Sequence, residues 1–202
     1  MSGLTRSLAA HQRACRACRA CADEGFPIGS RPVFEGNGGQ RALLVGQAPG
    51  SVEGERGRPW RGRAGHTLRR WLELDDEAFV ATFYCASVAR CYPGRHPSGR
   101  GDRTPTRREL DLCARWLDAE LALLRPGLVV TVGGLALRRL TGEAALTPNV
   151  GRRLALGDAV VVPLPHPSGA SGWTNDPANR ARLTAAVALV HEELGRLSRA
   201  PR

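Results

Sequence analysis

Four apolar residues, Ala42-Leu43-Leu44-Val45, empty directly into Gly46-Gln47-Ala48-Pro49-Gly50. A short apolar run bounded by a Gly/Pro turn reads as a strand buried on both faces. The turn then puts backbone amides at the C-terminal edge of a sheet, which in open α/β sheets is where ligands bind. Far along the chain a second apolar run, Val160-Val161-Val162-Pro163-Leu164, leads into His166-Pro167-Ser168-Gly169. Two strand-end loops, one carrying a histidine, can close on a single pocket.

The rest of the pattern supports that placement. Core strands are predicted over 41–46, 80–89, 128–132 and 158–164, which makes four. Helices are predicted within 1–22 and over 64–74, 106–124, 135–140 and 177–197. Thr106 with Glu109 three residues on is a capping box opening the third of these. Leu110, Cys113, Trp116, Leu117 and Leu121 form its apolar stripe, and Pro126 ends it. Residues 23–40 read as a Gly/Pro-rich surface loop with a short strand near Val33-Phe34; 51–64 and 92–104 read as polar loops. Strand and helix alternate, so a mainly parallel, four-stranded sheet covered on both faces is expected. The 202 residues fit one domain, 1–202, with 1–14 and 198–202 as flexible ends. No apolar run approaches the roughly 18–20 residues needed to span a bilayer, and the N-terminus has no signal-peptide core. A cytoplasmic monomer is expected.

All 29 basic residues are arginine, and the formal net charge is +10. Such a chain favours a polyanionic partner, and the planar arginine fork suits phosphate. The absence of lysine excludes a lysine Schiff base and a Walker-type phosphate loop.

Cysteines stand at 15, 18, 21, 85, 91 and 113. Without a secretion signal a disulfide framework is not expected. Cys15, Cys18 and Cys21 make a double C-x-x-C, a spacing that fits a metal or an iron–sulfur cluster. Cys91, after the second strand, and Cys113, in the following helix, supply a distant second pair. The four-ligand reading is therefore Cys18, Cys21, Cys91 and Cys113, with Cys15 able to replace Cys18. Spacing does not separate zinc from iron. Cys85 reads as a small buried residue.

Taken together, Gly46 to Gly50, Glu53, Gly57-Arg58-Pro59-Trp60-Arg61-Gly62-Arg63-Ala64-Gly65, the two cysteine pairs and His166-Pro167-Ser168 resemble the uracil-DNA glycosylase superfamily, and within it the family 4, iron–sulfur type. The resemblance runs from about residue 15 to residue 195 with the motifs in the family's order. It implies an α/β/α sandwich with a central parallel sheet, a structural 4Fe–4S cluster and excision of uracil from DNA. Gly46, Gln47, Ala48, Pro49 and Gly50 match the base-pocket motif. Trp60 takes the place of the aromatic residue that stacks on uracil, usually Phe. His166 matches the histidine that stabilises the departing base.

The chemistry suits those residue types. A glycosylase flips its nucleotide out of the stack, the flipped base needs a flat wall, and the leaving base needs a hydrogen-bond donor at its carbonyl oxygen. Ser168, Gly169, Ser171 and Asn175 read as part of a loop entering the minor groove, with Arg61 and Arg63 as further DNA contacts. Three positions depart from the pattern. Ala48 stands where other branches carry a water-activating Asp, as in family 4 generally. Gln47 replaces a usual Glu. Ser87 replaces an Asn that reads the uracil edge. Glu53 is then the nearest candidate carboxylate, and catalysis is assigned to His166, Glu53 and Gln47. With no lysine, the expected enzyme is a monofunctional glycosylase acting on DNA that contains uracil or a related deaminated base. The alternatives are a non-catalytic DNA-damage-binding module of the same fold and an iron–sulfur regulatory protein.

Overall fold

Every residue of β1 (Ala42–Gly46) is buried, because the strand has neighbours on both edges and helices over both faces. In the computed structural model, which describes residues 3–99, 101–168 and 172–199, β1 is flanked by β2 (Phe83–Ser87) and β3 (Leu128–Val132). The sheet runs β2-β1-β3-β5-β4, with β4 spanning Leu154–Leu156 and β5 spanning Ala159–Leu164. The first three pairings are parallel; β4 joins β5 antiparallel.

Side-chain alternation sends successive residues to opposite faces. Leu44, Phe83, Cys85, Val130, Val162 and Leu164 pack with Leu68, Leu72, Phe79, Ala186 and Val190. These last come from α4 (Arg63–Trp71) and the residue after it, α5 (Asp76–Thr82) and α8 (Pro177–Arg199). Leu43, Val45, Tyr84, Ala86, Val129 and Val161 pack the other face against Leu8, Cys15, Leu117 and Leu140. That layer is α1 (Gly3–Arg16), α6 (Arg107–Leu124) and α7 (Gly134–Thr141). Two cores on one sheet make the expected three-layer α/β/α sandwich. Each fully buried leucine contributes about 1.5–3 kcal/mol.

Several expectations change. The sheet has five strands, not four: Gly157-Asp158 turns β4 back onto β5, a two-residue hairpin whose glycine has φ 57°. β4 is short and half-exposed, a blunt edge. The stretch 80–89 is not all strand. Asp75 caps α5 by accepting from the Ala78 N–H at 2.7 Å, and the acidic first turn extends the helix to Thr82. The 51–64 loop contains a short helix, α3 (Ser51–Arg56), and α2 (Ala20–Asp23) carries Cys21. Residues 33–34 form no strand; the segment lies along β2 through single contacts such as Glu35 with Cys85. Helix α1 begins at Gly3, inside the stretch expected to be a loose end. Among the described residues no helix is long and apolar enough to cross a membrane.

The capping box at Thr106 is present as expected, but its Glu109 does more. It also accepts a two-pronged pair of hydrogen bonds from Arg103, both at 2.7 Å. Further along α6, Glu120 is fully buried and paired with fully buried Arg90. Tyr84 donates its hydroxyl to Glu120 at 2.8 Å, and His11 from α1 reaches it at 3.5 Å. Burial alone would raise the Glu120 pKa; Arg90, with His11 and Tyr84, holds it below the usual carboxylate range.

Glu120→Leu leaves the Arg90 charge buried without a partner, and urea unfolding is expected to show a loss of about 3–5 kcal/mol. Adding Arg90→Leu to that variant is expected to recover part of the loss, because no uncompensated charge then remains.

Candidate active site and cysteine cluster

The strand order fixes where a pocket can form. The chain leaves β1 toward β2 on one side and leaves β3 toward β5 on the other, so a crevice opens at their C-terminal ends. Gly46 ends β1, Gly133 follows β3, and His166 follows β5. The Gly133 N–H donates to the Leu164 carbonyl at 2.9 Å, and a Cβ on Gly133 would meet the His166 Cβ at 3.9 Å. At Gly46 a Cβ would lie 3.1 Å from the Trp60 indole. The indole therefore stands directly on Gly46, and a larger residue there would press it outward by a few tenths of an ångström. Trp60 and His166 face each other with ring centroids 6.5 Å apart and planes tilted by 38°.

Trp60 is held there by its backbone, which is left-handed at φ 59°. That conformation strains a bulky residue and persists only where its surroundings impose it. The Trp60 carbonyl accepts from Arg69 Nη1 at 2.8 Å and abuts Gly65, where any Cβ would overlap it. Arg69 is in turn buried, paired with Asp76 at 2.6 Å and laid over Phe79. Glu53 closes the other side. One of its oxygens accepts the Gly62 N–H at 2.7 Å, and the other would lie 2.8 Å from a Cβ on Gly50. The carboxylate thus ties the 46–50 turn to the loop that carries Trp60. Nothing in the sequence pattern signalled Arg69 or the left-handed tryptophan; Gly65 is the one visible sign of the close approach.

His166 is oriented by its own motif. The Ser168 N–H donates to Nδ1 at 3.2 Å, and the Ser168 hydroxyl lies 2.8 Å from the same nitrogen. A ring nitrogen that accepts a backbone N–H carries no proton, so the neutral ring holds its proton on Nε2. The ring remains solvent-accessible, yet protein packed around it disfavours the imidazolium and lowers its pKa below the ordinary value, against a smaller opposing pull from Glu53. At neutral pH His166 is thus an uncharged Nε2–H donor.

The remaining expected site residues divide. Ala48 and Pro49 lie in the turn; Gln47 uses its carbonyl to accept from the Ala89 N–H at 2.9 Å, and its side-chain amide has no protein partner among the described residues. Ser87 is buried with its hydroxyl donating to the Ala89 carbonyl at 2.7 Å, so that hydrogen is committed. Arg61 lies mostly buried, its guanidinium engaged by Glu35 and Asp76. Arg63 is exposed at the start of α4. Asn175 is exposed, in a 3-10 turn over Trp173–Asn175. Gly169 and Ser171 lie outside the described residues.

The cysteines gather beyond the C-terminal end of β2, where Cys91 meets Cys113 of α6 and the N-terminal helices. Burial raises the thiols of Cys15 and Cys91 to about 12 and that of Cys21 to about 11; Cys113 is also raised. Neighbouring thiols add to each shift, which places Cys15, Cys18, Cys21, Cys91 and Cys113 within electrostatic reach of one another. Cys85 stands apart in the opposite core layer, as expected. The Arg90 N–H donates to Cys113 Sγ at 3.3 Å, and Arg115 reaches Cys18 Sγ at 3.6 Å. Two guanidinium nitrogens of Arg90, Nε and Nη1, are buried without a hydrogen-bond partner, and the Arg90 charge lowers the pKa of both Cys15 and Cys113. Among the described residues no three Cys, His, Asp or Glu side chains are close enough to hold one metal ion.

Residues 33–189 match the family model described as the uracil DNA glycosylase superfamily. A Type-4 uracil-DNA glycosylase of Thermotoga maritima is 32% identical over 139 residues, 67% of this chain and 69% of that protein. A protein of the same description from Pyrobaculum aerophilum is 31% identical over 121 residues, 57% of this chain and 53% of its own length. A Type-5 uracil-DNA glycosylase of Thermus thermophilus is 32% identical over 137 residues, 60% of this chain and 59% of that protein.

The geometry around His166 predicts its titration. Its ring protons, followed by NMR, are expected to titrate below the ordinary histidine value of about 6.5. Glu53→Gln removes the one charge pulling the other way, so the midpoint is expected to move lower still. A midpoint that rises in Glu53→Gln contradicts this electrostatic account.

Proposed function

The chain belongs to the uracil DNA glycosylase superfamily, and on that footing we propose that it is a monofunctional glycosylase that hydrolyses the N-glycosidic bond of uracil, or a related deaminated base, in DNA. It acts as a single catalytic domain, a cytoplasmic monomer, and leaves an abasic site for base excision repair. The observation that carries this reading is the uncharged Nε2–H of His166, held by Ser168 and facing Trp60 across the crevice.

The steps follow from the residues. The flipped nucleotide costs a few kcal/mol in lost stacking. Its base is received on the flat indole of Trp60, over Gly46, with the backbone of Gln47 to Gly50 and the free Gln47 amide along its edge. When the bond from C1′ to the base nitrogen breaks, the electron pair goes to the base and the sugar becomes an oxocarbenium ion. His166 donates a hydrogen bond to the base carbonyl oxygen where negative charge develops. A neutral donor suits this task because it binds the anion without first giving up its proton. Glu53 supplies negative charge near the cationic sugar and is the nearest acid to accept the proton of the attacking water. Water oxygen adds to C1′, one water proton leaves, and the departing base takes up a proton. Ser87 offers no free hydroxyl hydrogen to the base, so recognition of the base edge rests on Gln47 and the turn amides. With no lysine, no side-chain amine traps the sugar.

Cys18, Cys21, Cys91 and Cys113 are the residues we assign to a 4Fe–4S cluster. The setting fits such a group: the thiols sit beside a buried arginine whose Nε and Nη1 lack partners, a cationic surround for an anionic cluster. When bound, the cluster supplies a cross-link between the N-terminal helices, the end of β2 and α6. Cys15 is fully buried in the core against the sheet, which favours Cys18 over it as the ligand.

Alkali cleavage of an oligonucleotide after incubation tests the activity. His166→Ala is expected to lose about 10²–10³-fold in kcat, the scale of one anion-stabilising donor. Binding of uracil DNA without turnover by the unaltered protein would instead identify a damage-binding module. Cys113→Ala is expected to abolish the brown colour and iron content of the purified protein; a zinc-loaded, colourless protein would assign the thiols to zinc.

A further inference from the structure

One cavity, of about 640 Å³, is lined by Glu35, Asp76 and Glu77, and its Arg58 and Arg61 are already paired with Glu35. It suits no polyanion. A second cleft of about 320 Å³ opens beside His166 and includes neither Trp60 nor Gly46. Its walls are Thr67, Arg70 and Trp71 from α4, Trp173 from the 3-10 turn, and Arg180 from α8. No acidic residue lines it. Trp71 and Trp173 are half-buried, and Trp173 is fixed by its indole N–H donating to Thr147 Oγ1 at 2.9 Å. Arg180 is directed at the carbonyls of Thr174 and Asn175, at 3.0 and 2.9 Å, and so shapes the floor. Arg70 is exposed, and its guanidinium has no partner among the described residues.

We propose that this cleft holds the nucleotide next to the excised one on the same DNA strand, in unpaired form, with its base on the Trp71 and Trp173 indoles and its phosphate on Arg70. The assignment rests on the reading of His166 as the excision site, since the cleft shares that histidine and its occupant must be continuous with the substrate there. The volume lies at the small end of ligand pockets, roughly 300–1,000 Å³, and so suits one nucleotide rather than several. Indoles flanked by arginine are the chemistry that binds single strands, because every base has a face to stack and every nucleotide a phosphate. A paired base inside a duplex keeps its faces covered by its neighbours. The cleft therefore gives the enzyme a preference for uracil in single-stranded or locally unstacked DNA.

Two measurements test this. The first is binding of a uracil-free oligothymidylate, read by tryptophan emission and fluorescence anisotropy. Arg70→Glu, at an exposed position that folding tolerates, is expected to weaken binding about tenfold, and losing one phosphate contact flattens the slope of log K against log salt by about 0.7. Trp71→Ala and Trp173→Ala are each expected to lose about 5- to 100-fold. The second is excision from a long single-stranded substrate compared with one lacking flanking nucleotides. Arg70→Glu is expected to lower kcat/KM on the long substrate and leave the short one within about threefold. Unchanged oligothymidylate binding and salt slope in Arg70→Glu overturns the proposal, as does an equal loss on long and short substrates. A protein that binds oligothymidylate through these residues yet excises nothing keeps the cleft and loses the glycosylase reading. One that excises uracil with Arg70→Glu indistinguishable from the parent loses the cleft alone.

Discussion

A parallel sheet with its first strand in the middle must send the chain to one side and then the other, and the crevice left at its C-terminal edge governs this molecule. β1 pairs with both β2 and β3, so the turn after β1 and the loop after β3 diverge. Gly46 leaves the indole of Trp60 room at that edge, and Gly133 takes the left-handed turn, φ 89°, that brings the chain past His166. A side chain at Gly46 would crowd the indole that forms the flat wall of the pocket. The pocket is thus a consequence of strand order first and of particular side chains second.

Much of this was legible in the sequence. The apolar runs at 42–45 and 160–164, each followed by a Gly/Pro loop, located both halves of the crevice. The Thr106–Glu109 capping box located α6. What misled was local competition between signals. Val80 reads as the start of a strand, but Asp75 capping Ala78, with Asp76 and Glu77 behind it, makes helix through Thr82 instead. The Gly157-Asp158 pair is a hairpin signal, but β4 before it is three residues long and without a buried side chain, so the pattern carries little sign of a fifth strand. Arg61 stands in an arginine-rich motif and looked ready for phosphate; only the fold shows Glu35 and Asp76 neutralising it. Composition reports how many arginines a chain has. It does not report which ones are already spent.

The buried charges explain how two distant functional regions share one scaffold. Arg90 sits between Glu120 and the cysteines, bonded to the former through its side chain and to Cys113 through its backbone. Residue 90 is also where the segment before β1 docks, since the Val33 N–H donates to its carbonyl at 2.7 Å. One residue therefore registers α6, the end of β2 and the N-terminal segment against each other. A buried ion pair is a poor source of net stability, because desolvation offsets most of the attraction. Its effect here is positional: it fixes where Cys91 and Cys113 stand relative to Cys18 and Cys21. The sequence hid this, since Glu120 falls among apolar residues of α6 and its partner lies thirty positions away.

The same balance of burial and charge recurs at His166. Glu53 pulls the imidazole toward protonation, and in the proposed reaction its carboxylate would stand near a sugar that turns cationic as the bond breaks. Too strong a pull would charge the ring and replace the neutral donor by an acid. Two features prevent that: crowding around the ring, which outweighs Glu53, and the division of the Glu53 oxygens between the Gly62 N–H and the side of Gly50. Part of the carboxylate's charge is thereby satisfied by the loop it anchors. In the proposed reaction, charge of opposite sign then acts at the two ends of the breaking bond, negative near the sugar and a polarised N–H at the base, without one cancelling the other. That arrangement depends on loop 57–62 keeping its path, and so on Arg69 and Gly65 holding the Trp60 carbonyl, residues that touch neither the sugar nor the base.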